Sequence, residues 1–376
     1  MERLIAEAGA LISYDADKAR DTAQLAVDAA ESLHPTHPRL AFMANFYLMV
    51  SCMLLNSYSE AFPLAIKLIA MSDDPALDLG ENEHLILFAY TACAVVAVER
   101  PAVQGKALET CSLGLERYAH TRSSHLLYFK HEYSKLLMAS GQYSKAAAYA
   151  KQLIAEKMNC RENGQCNLDC YQTVYAQALA FAFSHQRAIA YLNGVIPQQQ
   201  QSDKLWHARA WLHFKAGDFA AALSDSHAAK HISNDAKNHL LNAYAHIMLG
   251  RGDEASEVLA SLCTLDPDNA NAALWFSLLS GDMKPMKKFS RNKGWAHAIT
   301  RFVQDEIPLE QLIELSKRED TPSHCLATAF CFAGFQAHLQ GSFEQAREYY
   351  KQCLAYGHPM FDDYLWAEVN LAFTTL

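Results

Sequence analysis

Long basic runs and long apolar runs are both missing from this 376-residue chain. With 32 Lys and Arg against 41 Asp and Glu, the formal charge is −9, so no general affinity for nucleic acid or anionic lipid is expected. The one basic cluster, MKPMKKFSRNKG at 283–294, reads as a solvated loop between helices. The most apolar stretches, 42–55 and 87–98, fall short of the roughly 20 uninterrupted apolar residues that span a bilayer. No membrane insertion is expected. Met1–Arg20 has early acidic residues, no apolar h-region and no lipid-attachment cysteine, which predicts that no signal peptide is present. Ten cysteines are too few and too scattered for a disulfide scaffold. Most sit in apolar helical surroundings, as in YTACAVVAV and ATAFCFAGF, where they read as small core residues. A reducing, cytoplasmic setting follows, or a periplasmic one if a leader has been removed. No Walker lysine loop, dinucleotide glycine fingerprint, HExxH or Gly-x-Ser-x-Gly occurs. Catalysis and a cofactor are therefore not expected.

What the chain does have is alanine and leucine in abundance, with only 11 Pro and 15 Gly to interrupt helices. It also repeats itself. A small residue, one residue, an aromatic, two residues and an alanine recur as NSYSEAFPLAIKLI (56–69), GQYSKAAAYAKQLI (141–154), GDFAAALSDSHAAK (217–230) and GSFEQAREYYKQCL (341–354). Degenerate copies centre on Ala107, Ala188 and Ala255. A further helical pattern of 12 to 18 residues precedes each copy. The glycine lets the chain turn without a Cβ penalty, the aromatic covers the turn, and the alanine lets two helices approach closely.

This pattern resembles the tetratricopeptide repeat, an antiparallel helix pair with a period of 34. Ala188 to Ala222 is 34 residues and Ala222 to Ala255 is 33. Longer intervals (46, 39 and 42) place their surplus in the connectors 72–83 and 156–170, because additions inside a helix would rotate its apolar face out of the core. The predicted fold is all-α, a superhelical array of antiparallel helix pairs. Residues 1–269 are expected to form the irregular repeats, and 270–376 a C-terminal helical region with one strong repeat and a final helix. Residues 265–373 are similar to the C-terminal region of bacterial tetratricopeptide proteins, among them the lipoprotein scaffold that gathers cell-wall hydrolases. Residues 15–70 resemble the repeat sensor segments that precede output domains in signalling proteins.

The resemblance implies a binding groove lined by the first helix of each pair. In the repeat's frame its positions are Lys204, His207, Trp211, Phe214 and Lys215, then Lys237, Leu240, Tyr244 and Met248, and earlier His131 and Lys135. Trp206 falls at a core position. Such a groove suits a protein or peptide segment with apolar anchors and some acidic character. A second copy of the chain is a further candidate partner. The function expected is an interaction scaffold, with a sensor of a peptide or small molecule as the alternative. His227 and His231, four apart, can share a helix face but lack a third metal ligand. In CRENGQCNLDC, the residues Cys160, Cys166 and Cys170 are weak metal candidates and disulfide candidates. The stretch coincides with eight surplus residues, so a plain connector is the first expectation.

Overall fold

A computed structural model describes residues 1–32, 37–121, 123–158, 168–291 and 294–373. Among them every regular element is helical. Packing divides the chain into two compact units, Met1–Leu168 and Asp169–Leu376. The first holds α1 (Glu2–Leu11), α2 (Ala16–Glu31), α3 (Pro38–Leu54), α4 (Tyr58–Met71), α5 (His84–Glu99), α6 (Gln104–Arg117), α7 (Ser124–Ala139) and α8 (Tyr143–Met158). The second holds α9 (Leu168–Ala182), α10 (His185–Val195), α11 (Asp203–Lys215), α12 (Phe219–Ile232), α13 (Ala236–Met248), α14 (Gly252–Leu265), α15 (Ala270–Ser280), α16 (Trp295–Val303), α17 (Leu309–Ser316), α18 (Pro322–Leu339), α19 (Phe343–Tyr356) and α20 (Asp362–Phe373). This division falls in the long connector near Leu168 rather than at Asn269. The reason is that α14 packs on α15, and one apolar core runs from Ala176 to Val369 across that point.

The recurrent phrase forms the same turn each time. Gly141, Gly217, Gly250 and Gly341 have φ between 71° and 80°, the left-handed region that a Cβ disfavours. After each, a backbone N–H reaches back to a carbonyl five residues earlier, as in Asp218 to His213 at 2.9 Å and Ser342 to Ala337 at 2.9 Å. This bond closes the helix end in a Schellman arrangement. In the first copy Asn56 takes the glycine's place at φ 55°, and Ser57 donates to Cys52 at 2.8 Å. Asn is the residue other than Gly that best tolerates this conformation. The repeat alanines Ala61, Ala107, Ala146, Ala188, Ala222 and Ala255 are wholly buried, and Ala346 nearly so. Helix starts are capped where the sequence offers a short polar side chain: Asp15, Ser184, Ser202, Asp218 and Asn269 each accept an N–H from the first turn.

One reading changes and another holds. The basic cluster is not a solvated loop: it contains a short 3-10 helix, Pro285–Arg291, whose Met286 and Phe289 are buried in the core. Apolar residues spaced three apart hold it down, while Lys288 pairs with Asp268. Cys52, Cys93, Cys111, Cys325, Cys331 and Cys353 are all buried, as their surroundings predict. Burial alone pushes the Cys93 thiol up to about 12, which keeps it a packing residue rather than a nucleophile. No helix among the described residues is long and apolar enough to cross a membrane.

Candidate binding site

The groove was expected on the first helices of the pairs. In the second unit these are α11, α13, α15 and α18, and the face they share is occupied by α20. Trp366 of α20 is the centre of the contact. Its ring lies 5.2 Å from Tyr244 (α13), 4.9 Å from Trp275 (α15) and 5.4 Å from Phe335 (α18), in tilted and edge-on geometries. Aromatic rings prefer these arrangements because the electropositive edge of one meets the negative face of another. The Trp366 indole N–H donates to the Tyr350 hydroxyl at 3.2 Å. Further along α20, Glu368 meets the Lys215 ammonium at 2.8 Å, and Phe373 packs edge-on against Phe219 at 5.8 Å. Four apolar residues of α20, Leu365, Trp366, Ala367 and Val369, are at most 1% exposed.

The expected groove residues therefore stand as follows. Trp211, Phe214, Leu240 and Tyr244 are buried in the core that α20 completes. Of these, Tyr244 lies directly under α20, against Trp366. Lys215 is buried too, its ammonium 4.2 Å from the Phe181 ring and 5.0 Å from Trp211. Burial lowers its pKa and Glu368 works against that fall. Lys204 turns toward α9, hydrogen-bonding the Cys170 sulfur at 3.0 Å with Asp169 at 3.9 Å. His207 lies against the start of α13; burial, then the neighbouring Lys237, brings its pKa down to about 4. Lys237 pairs with Asp235 at 3.1 Å, and Met248 is partly buried on the core. In the first unit, His131 and Lys135 converge on the buried Glu132, at 3.8 Å and 2.9 Å. Trp206, expected in the core, is only half-buried: its N–H donates to the Gln200 carbonyl at 3.0 Å, and the Arg209 guanidinium lies 4.9 Å over the ring.

Cys160 and Cys166 lie outside the described residues, and Cys170 serves as the acceptor for Lys204. His227 and His231 do share a face, with ring centroids 4.4 Å apart. Among the described residues no three metal-ligating side chains converge.

At the start of α20 the filled face gives way to a cavity of about 320 Å³ between α15, α16, α18 and α20. Its walls are aromatic and aliphatic, with Trp295, Phe332 and Phe361 beside Leu274 and Ile299. Its polar groups are Asp362, Asp363, His324, Thr328 and Asn271. Thr328 donates to one carboxylate oxygen of Asp363 at 2.5 Å. Asn271 Oδ1 and His324 Nδ1 are shut off from solvent and have no hydrogen-bond partner among the described residues. Desolvation, then the neighbouring Asp363, holds the Asp362 carboxyl up at about 7, with Lys237 pulling the other way. Burial raises Asp363 as well, against the pull of His324. Sequence reading passed over this aspartate pair because two acids in the first turn of a helix are what the macrodipole favours on any surface helix.

No family model matches the chain, and no curated protein matches it. Solved structures do. A Rap protein complexed with competence and sporulation factor superposes with a TM-score of 0.51 at 13% identity, over 94% of this chain and 96% of that one. The apo form of RapI gives 0.50 at 11% identity over 94% and 96%. The fold is a tetratricopeptide-like helical repeat array. A tetratricopeptide repeat protein from Parabacteroides merdae also matches, with a TM-score of 0.41, 12% identity and coverage of 76% and 98%. At such identities the likeness is one of fold, and the array's own residues must speak for its use.

Proposed function

We propose that the protein is a non-catalytic adaptor whose second unit holds a segment of a partner protein in the cavity at the start of α20. One observation carries this reading: the first-helix face is filled by Trp366 and its neighbours, then opens into a cavity with aromatic walls and a polar end. A volume of about 320 Å³ lies at the small end of ligand pockets and takes one or two side chains of a bound segment. The fold shared with the Rap protein solved with competence and sporulation factor supports a binding role, as does the resemblance of 265–373 to a bacterial scaffold group. A formal charge of −9 and an acidic cavity favour a polypeptide over a nucleic acid. The buried, unpaired thiols Cys93, Cys111 and Cys331 favour the cytoplasm.

The test is affinity capture from the native host with the full chain and with Ala296→Trp, which fills the cavity from α16. Proteins held by the wild type are expected to be lost from the variant, with its helical circular dichroism unchanged. A partner set unaltered by Ala296→Trp overturns the assignment.

A second reading, a sensor acting through the array, draws on the position of α20. The helix supplies Asp362 and Asp363 to the cavity and Trp366 to the core, with Phe361 just before it, so an occupant touches the element that fills the face. Amide exchange in 362–373 that changes several-fold on partner binding favours the sensor; unchanged exchange excludes it.

A further inference from the structure

Three of the cavity's five polar groups bring carboxylate or carbonyl oxygens, beside the His324 imidazole and the Thr328 hydroxyl. Asp362 and Asp363 bring two carboxyls, and Asn271 Oδ1 is a third acceptor, enclosed and without a partner. Asp363 is 7% exposed, and only one of its oxygens is engaged, by Thr328. Neither carboxyl has an ion-pair partner among the described residues. The cation that acts on Asp362 is Lys237, and its ammonium is already matched by Asp235 at 3.1 Å. Among the described residues no lysine or arginine lines the cavity. Two adjacent carboxyls with no lysine or arginine against them among the described residues, beside an orphaned amide oxygen, make a costly arrangement for an empty pocket, and one that a multi-donor cation relieves. The walls narrow the class further. Trp295, Phe332 and Phe361 present ring surface, which attracts a cation and also buries an apolar stem. A bare metal ion has no apolar stem to bury against these rings.

We propose that the cavity is a recognition site for an organic cation, an ammonium or guanidinium group on an apolar stem, with Asp362, Asp363 and Asn271 accepting its N–H groups and Trp295 and Phe361 flanking it. The proposal rests on the peptide-binding reading above and names the chemistry at the buried end of the segment: a free amino terminus, or a lysine or arginine side chain.

The experiment is calorimetric titration of the full chain. The probes are phenethylammonium and its neutral counterpart phenethyl alcohol, then the tripeptide amide Phe-Gly-Gly with a free and with an acetylated amino terminus. Agmatine serves as the guanidinium probe. Charged probes are expected to bind at least tenfold more tightly than neutral ones, and Asp362→Asn/Asp363→Asn to lose at least tenfold. Asn271→Leu, which deletes the orphaned acceptor while keeping the branching and heavy-atom count, is expected to weaken binding several-fold and keeps the test open if the double variant does not fold. Affinity is expected to rise from pH 5.5 to 8, because the Asp362 carboxyl, which faces Asp363 on its own helix and Asp235 and Lys237 at the start of α13, with His324 of α18 beside Asp363, loses its proton through about 7. Equal binding of charged and neutral probes overturns the proposal. So does no heat with any charged probe at 10 mM, or tighter binding of Mg²⁺ or Ca²⁺ than of the organic cations at matched ionic strength. Tight binding of phenethylammonium with weak binding of the free-amine tripeptide assigns the site to a small amine. The cation site then stands and the peptide reading falls. Capture of a partner that Ala296→Trp abolishes, without discrimination among the probes, gives the reverse outcome.

Discussion

Two residues of α20 show how one helix can carry opposite demands. Trp366 is 1% exposed, holds the rings of Tyr244, Trp275 and Phe335 together, and satisfies its N–H on Tyr350. Trp366→Ala is expected to cost about 3–5 kcal/mol, the range for emptying a large aromatic site, measured by denaturant unfolding of the second unit. Asp362 works against stability at neutral pH. Its folded pKa of about 7 lies above the ordinary 3.8, so folding is favoured by the protonated carboxyl. That contribution is complete below about pH 4 and is lost as the pH rises through about 7. Asp362→Asn is accordingly expected to stabilise the protein by about 1–2 kcal/mol at pH 8 and to change little at pH 4. Unfolding midpoints at the two pH values check this; a variant stabilised equally at both would show that the carboxyl is not desolvated. A residue that lowers stability when empty, next to a cavity, is the usual position of a ligand group rather than a packing group.

Among the elements, the turns and the last helix differ in what they tolerate. Gly250 has φ 71° and nothing near its missing Cβ, so Gly250→Ala is expected to cost about 1 kcal/mol of backbone strain and nothing more. Gly217 has φ 80° and a Phe373 ring carbon 2.6 Å from where a Cβ would stand. Gly217→Ala is expected to cost at least as much and also to speed amide exchange in the last turn of α20. If exchange there stays unchanged, α20 does not rest on this turn. The same comparison locates what sequence reading missed at the level of elements. The order of helices, their turns and the alanine contacts follow from spacing along the chain. The docking of α20 does not, because its partners Tyr244, Trp275 and Phe335 lie between 31 and 122 residues from Trp366, and no local pattern records such a pairing. Of the residues assigned to an open groove, Tyr244 is covered by this helix, and Trp211 is buried against Phe181 of α9.

At the scale of the whole chain, each of the two units has a core of its own. One cluster draws its buried residues from Ile5 to Leu136 and the other from Ala176 to Val369. A chain starting at Leu168 is therefore expected to fold alone, with helical circular dichroism and one cooperative unfolding transition; a non-cooperative melt would count against an independent second core. What the sequence by itself determined was the helical repeat: glycine or asparagine where a left-handed turn closes the helix, alanine where two helices touch, and apolar spacing at the helical period. These are short-range choices, and each residue type is dictated by sterics within a few positions. Only the tertiary structure decided the rest. It laid α20 on the first-helix face, turned expected contact residues into core, and left two adjacent carboxyls in the wall of a cavity. Burial and charge compensation are sums over neighbours brought together from four helices, and spacing along one chain does not contain them.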